Sequence, residues 1–152
     1  MNNLFRLTDA IKTELEGNAL INSVSFGDLF DIELEKRDVY PMAHVGMSSA
    51  RMGEGFLVVD ISILFLDIVD ENKSAQVDKF YGNDNEHYVI NSMLSAATKT
   101  IQELMRGELY ANGFQVDDDE IEVEFFSERF KDKLAGCGVT FSVIIKNTLD
   151  LC

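Results

Sequence analysis

Residues 56–69, FLVVDISILFLDIV, constrain this chain more than any other stretch. The run is apolar and rich in β-branched residues, and it is broken by Asp60, Ser62 and Asp67. It is therefore too short and too polar to cross a membrane as a helix. Read as a strand, it spans about 46 Å at roughly 3.3 Å per residue, against the usual five or six residues. Such a strand is either interrupted by a bulge or projects from the body as half of a long hairpin. The glycine-rich stretch just before it (Gly46, Gly53 and Gly55 around Ser48-Ser49-Ala50-Arg51) favours the hairpin. Residues 39–47 then form the first arm, with Pro41 at an edge position or the strand's start, and residues 48–54 form the tip.

The remaining elements follow from periodicity. Leu4, Leu7, Ile11 and Leu15 recur at helical spacing, so residues 4–16 are expected to form an amphipathic helix that Gly17-Asn18 stops in a left-handed turn. A short strand over 21–26 precedes a turn at Gly27-Asp28. Residues 28–38 carry mixed charge without a clean period, and residues 70–87 are a polar connection. Asn83, Asp84 and Asn85 offer caps to a second helix over 86–106, ended by Gly107. Its expected inner face is Ile90, Leu94, Ala97, Ile101 and Leu104. Asn112-Gly113 marks a turn. Ile121, Val123 and Phe125 alternate with acidic residues, and Cys137, Val139, Phe141, Val143 and Ile145 alternate with small polar ones. These two runs, joined by residues 128–133, are expected to form an antiparallel hairpin. The order of helix, strands, helix, strands implies an α+β fold: a mostly antiparallel or mixed sheet, two main helices packed on it, and a projecting β-hairpin. Residues 1–152 are expected to form a single domain, without internal repeats.

At 152 residues, 46% hydrophobic and 26% charged, the chain can bury a core without metal or disulfide staples. Cys137 lies in an apolar alternation and Cys152 is the last residue, so both are expected to be free thiols of a reducing compartment. The start, Met1-Asn2-Asn3-Leu4-Phe5-Arg6, lacks the pattern of a secretory signal, and a soluble protein made in the cytosol is expected. A formal net charge of −14, from 27 acidic and 13 basic residues, argues against a grip on nucleic acid or an anionic membrane. It is compatible with a surface past which nucleic acid slides.

Chemical motifs are sparse. His44 and His87 have no second ligand at metal-binding spacing. Cys137 and His44 would form a nucleophile pair only if folding joined them, and Cys137 belongs to the apolar face of its strand. Asp117-Asp118-Asp119-Glu120 lacks the glycine and distal glutamate of a calcium loop. Gly136-Cys137-Gly138 has neither the third glycine nor the helix of a dinucleotide site. Neither a catalytic residue, nor a metal, nor a cofactor is expected.

The layout resembles the tail terminator (tail completion) proteins of long-tailed bacteriophages. The likeness rests on the opening helix followed by Asn22-Ser23-Val24-Ser25-Phe26-Gly27-Asp28, on the aromatic-proline-apolar strand Val39-Tyr40-Pro41-Met42-Ala43-His44-Val45, and on the later helix and closing hairpin. The resemblance implies a non-enzymatic structural virion protein whose copies close into a homo-hexameric ring. That ring would cap the tail tube protein's polymer, stop its growth and join the tail to a head-connector or neck protein. DNA would pass through without specific binding and no membrane would be involved. The location implied is the virion tail, after assembly in the host cytoplasm. On this reading the subunit interface is expected at the hairpin tip: Met47, Ser48, Ser49, Arg51, Met52, Glu54 and Phe56. Head-to-tail ring contacts often use extended arms, and an acidic lumen would repel DNA. A small-ligand-binding or regulatory module of the same architecture is the alternative, and a small enzyme with a site built from scattered residues is a third.

Overall fold

The computed structural model describes residues 3–27, 40–69, 86–109, 113–117, 121–129 and 134–146. The elements are α1 (Asn3–Glu16), β1 (Ser23–Phe26), β2 (Met42–Gly53), β3 (Phe56–Ile68), α2 (Glu86–Glu103), β4 (Gln115–Val116), β5 (Glu122–Arg129) and β6 (Leu134–Lys146). The fold is α+β: a six-stranded mixed sheet with two helices. The expected readings of residues 28–38, 70–85, 118–120 and 130–133, of Val39 and Asn112, and of Cys152 lie outside the described residues.

The sheet runs β1-β2-β3-β6-β4, with β5 pairing on the same side of β6 as β4. All pairs are antiparallel except β1–β2, which is parallel and four residues long, from Ser23↔Met42 to Phe26↔Val45. The expected hairpin of residues 121–125 with 137–145 is present, as β5 and β6.

Strand β3 is a single unbroken ladder element. It pairs with β2 from Phe56↔Gly53 to Leu66↔Met42, and with β6 from Phe56↔Lys146 to Ile68↔Leu134. The expected hairpin thus forms, but β6 accompanies β3 as far as Phe56, and the distal arms are not a bare two-stranded projection. The tip is also shorter than expected. Residues 49–53 belong to the ladder, and only Glu54-Gly55 turn, with Gly55 at φ 75°, where a side chain would be strained. The irregularity sits in β2 and not in β3. The register shifts between Met47 and Ser49, so Ser48 is an inserted bulge residue.

Alternation assigns the two faces of the sheet. One face presents Ala43 and Val45, Ile61, Ile63 and Phe65, and Cys137, Val139, Phe141 and Val143 to the helices, forming the main core. The other carries a smaller cluster of Tyr40, Met42, Leu66 and Leu134, with Leu64, Ile68 and Phe126 against it. On that second face Gly136 stands beside β3 so closely that a Cβ would strike the Phe65 carbonyl oxygen.

Helix α1 buries Leu7, Ala10, Ile11 and Leu15, whereas Leu4, the first residue of the expected stripe, is exposed. Gly17 does not take a left-handed conformation. The helix is tied off instead by bonds from Gly17 N–H to the Thr13 carbonyl and Asn18 N–H to the Leu15 carbonyl. Helix α2 buries Val89, Met93, Ala96, Ala97, Thr100 and Leu104. Of the expected face, Ala97 and Leu104 are buried, while Val89, Met93, Ala96 and Thr100 lie inward in place of their neighbours Ile90, Leu94 and Ile101. Leu94, Ile90 and Ile101 are half-buried flanks, while small Ala96, Ala97 and Thr100 are fully buried. Gly107 does not end the helix either. A π-helical turn over Leu104–Glu108 continues it, with Leu109 N–H bonded to the Leu104 carbonyl. Its wider turn places both Leu104 and Leu109 in the core.

Candidate interaction site

Strand β1 pairs with β2 only as far as Val45, where Gly27 N–H donates to the Val45 carbonyl at 3.2 Å. Beyond it, among the described residues, the outer edge of β2 over residues 46–53 has no strand partner, while its inner edge pairs with β3. This overhang contains five of the seven residues expected at a subunit interface, with Glu54 and Phe56 just beyond it, and their surroundings differ sharply.

Because of the bulge, Met47, Ala50 and Met52 lie on the helix side of the sheet, and Ser49 and Arg51 on the other. Met47 is half-buried against the core. Ser48 is the exposed bulge residue, its Oγ 3.5 Å from the Asp60 carbonyl oxygen. Met52 is 86% exposed, and Phe56, 44% exposed, lies over Gly53, where a Cβ would collide with its ring. Glu54 forms the turn. The two large apolar side chains at the tip are thus displayed to solvent at the end of a rigid three-stranded rib.

Ser49 and Arg51 are engaged within the sheet. The Asp60 carboxylate accepts from Ser142 Oγ at 2.5 Å, from Ser49 Oγ at 2.7 Å and from Arg51 Nη1 at 3.2 Å. The Ser142 and Ser49 hydrogen bonds, with the Arg51 charge behind them, hold the Asp60 carboxyl below its usual range against a small opposing cost of desolvation. The polar row Ser49–Asp60–Ser142 crosses three adjacent strands on the face away from the helices.

Beside the overhang an apolar groove of about 540 Å³ opens between α1 and the β1–β2 edge. Leu4, Phe5, Val24, Phe26, Val45 and Met47 line it, with Thr8, Asp9 and Lys12 on the helix side. Phe5 is 74% exposed and Phe26 59%. Groove and overhang share Met47, so one apolar strip runs along this sheet edge. Sequence reasoning found the tip but missed the groove. Phe5 lies off the buried stripe of α1, whereas Phe26 is in phase with Val24, so its exposure carries no signal in the sequence.

His44 is buried on the face away from the helices. Its Nε2 is 3.0 Å from the Gly27 carbonyl oxygen, which only accepts, so Nε2 carries the proton and Nδ1 accepts from Ser25 Oγ at 2.7 Å. This has the connectivity of a nucleophile and base. However, Ser25 and His44 project to the face opposite the groove, and they cross-link the short β1–β2 ladder. Cys137 points into the helix-side core, away from His44, and burial pushes its thiol up to about 12. The two do not form a pair. Among the described residues no three His, Cys, Asp or Glu side chains gather as a metal site.

No known protein family matches the chain. No curated protein resembles it in sequence beyond chance.

Proposed function

We propose that this protein is a ring-forming structural subunit of the tail-terminator type, its copies joined through the β2–β3 tip and capping a phage tail tube. The observation that carries the reading is the β2 overhang: a strand edge with no described partner, ending in exposed Met52 and Phe56. Bare edges and contiguous apolar surface promote association, and monomers blunt them with charge, proline or a covering element. Here the overhang has Arg51 as its one charged ladder residue, and that charge is held by Asp60. A rib of this kind, contacting a different surface on the next copy, generates a ring when the rotation closes. In such a ring the acidic chain would keep passing DNA unbound, and the head connector or neck and the tail tube would be the further partners. Assembly in the host cytoplasm and residence in the virion tail follow from the same reading.

Mass measurement by light scattering during size exclusion, across protein concentration and salt, tests it. Rings of a defined multiple of the 17.1 kDa chain that bind the ends of purified tail tubes are the expected result. A monomer at every condition that ignores tail tubes would sink the proposal. The apolar groove favours a second reading, a small-ligand-binding module, since its volume falls in the range of ligand pockets. A monomer whose melting temperature rises with an apolar ligand would favour that one.

A further inference from the structure

Among the described residues the overhang is not the sheet's only open edge. At the opposite side, β5 pairs with β6, and no described strand pairs with its outer edge. The overhang spans residues 46–53, eight in number, and β5 is eight residues long. Phe125 is 56% exposed on β5, and Val123 on the same face packs at the core margin, so β5 shows an apolar row on the helix side. The overhang shows Ala50 and Met52 there. On the face away from the helices β5 carries exposed Glu122 and Glu124, and the overhang carries Arg51, whose side chain is 62% exposed.

We propose that residues 46–53 of one copy pair edge to edge with β5 of a second copy. The inference rests on the ring reading and names the surface that receives the overhang. Two β5 edges set against each other would place glutamates opposite glutamates, which destabilises a ladder. Two overhangs would set Arg51 near Arg51. Overhang against β5 runs antiparallel, and setting Arg51 opposite Glu124 on one face places Met52 opposite Val123, with Phe125 its diagonal neighbour, on the other. Main-chain hydrogen bonds satisfy both bare edges, as in strand addition. Because the edges are different surfaces at opposite ends of one sheet, the contact is heterologous. It carries a continuous sheet from copy to copy, with every helix layer on the same side.

Crossed-edge complementation tests this. Arg51→Glu with Met52→Glu disables the overhang and leaves β5 intact, whereas Phe125→Glu disables β5 and leaves the overhang intact. All three positions are solvent-facing, and circular dichroism checks that each variant folds. If Phe125→Glu does not fold, Glu124→Arg replaces it. Each variant alone is expected to need roughly tenfold more protein than the unchanged chain to assemble. Mixed, they are expected to form 1:1 dimers and nothing larger, because each supplies one working edge. Assembly lost in Arg51→Glu is expected to return when Glu124→Arg is added to the same chain. If either variant forms rings as readily as the unchanged chain, the edge pairing is wrong and the ring stands on another surface. If the unchanged chain never assembles, the ring reading fails and the pairing falls with it.

Discussion

Asn18, at the end of α1, donates through Nδ2 to Thr100 Oγ1 on α2 at 3.0 Å, a contact between residues 82 apart in sequence. The same amide nitrogen donates to the Ala96 carbonyl at 3.2 Å, and Asn18 Oδ1 accepts from Leu20 N–H at 3.0 Å. Both side chains are buried. One side chain therefore shapes the turn that follows α1 and pins it to the other helix. Asn18→Ala leaves the Thr100 hydroxyl and the Leu20 amide short of a partner, and is expected to cost about 1–3 kcal/mol by urea unfolding. Thr100→Val, which keeps shape and leaves Asn18 its bond to Ala96, should cost less. Equal losses would show that the bond to Thr100 carries the whole contribution and that those to Ala96 and Leu20 add nothing.

The inner face of α2 makes a second prediction. Met93 is buried and Leu94 half-buried. Met93→Ala is expected to cost on the order of 2–5 kcal/mol, because the neighbouring sheet is too rigid to fill the space. Leu94→Ala should cost under roughly 1 kcal/mol, since solvent already reaches it and little cavity forms. Paired urea titrations of the two variants decide the phase of the helix, and the reverse order would rotate it by one residue.

That phase explains how far the sequence could be read. Strands with strict alternation, such as β3 and β6, were legible because a period of two has only two settings and burial picks one. Ala97 and Leu104 of the expected α2 stripe are buried, but periodicity alone leaves open which of two adjacent rows fills the rest of the inner face. Ala96 and Thr100 are buried where they meet Asn18 after α1, whereas Ile90, Leu94 and Ile101 are half-buried flanks. The bulge at Ser48 was invisible, since a bulge changes pairing without changing composition. The parallel β1–β2 pair was equally hidden, because its order depends on a long connection. At the candidate site, exposed Met52 and Phe56 stood out beside glycines. The groove did not, because Phe5 and Phe26 meet only in the folded chain.

The Asp60 cluster makes stability depend on acid. Ser142, Ser49 and Arg51 favour the charged carboxylate, so its folded pKa lies below the ordinary carboxylate value. A depressed folded pKa contributes stability that is complete above the unfolded value. That contribution is lost as pH falls through the folded one. The unchanged protein should therefore lose stability progressively from about pH 5 downward, most steeply below pH 4. Asp60→Asn should be less stable at neutral pH and show a shallower loss over the same acid range. Because Arg51 is exposed, the Coulombic part should also shrink in salt. Parallel slopes for the two proteins between pH 5 and 2 would mean that Asp60 is not stabilised as its geometry indicates.

Salt should act on assembly in two opposite ways. Each copy carries a formal charge of −14, so subunits repel one another as whole bodies. At 0.01 M salt the Debye length is about 30 Å, comparable with the spacing of neighbouring subunits, and repulsion operates across the contact. At 0.15 M it is about 8 Å, and that long-range term is largely screened. An Arg51–Glu124 pair across two strands acts over roughly 4 Å and survives at 0.15 M, but weakens near 1 M, where the Debye length is about 3 Å. Apolar burial of Met52 and Phe125 does not weaken with salt. Assembly is therefore expected to tighten from 0.01 to 0.15 M salt, then to level off or weaken slightly toward 1 M sodium chloride. In Arg51→Glu with Met52→Glu the low-salt penalty should deepen, because Arg51→Glu removes a positive charge and both substitutions add a negative one at the contact. Sedimentation or light scattering at three salt concentrations reads the difference. Assembly that is strongest at 0.01 M would mean that local charge pairs outweigh the −14 repulsion, and would place the contact on a more polar surface than the β2 edge.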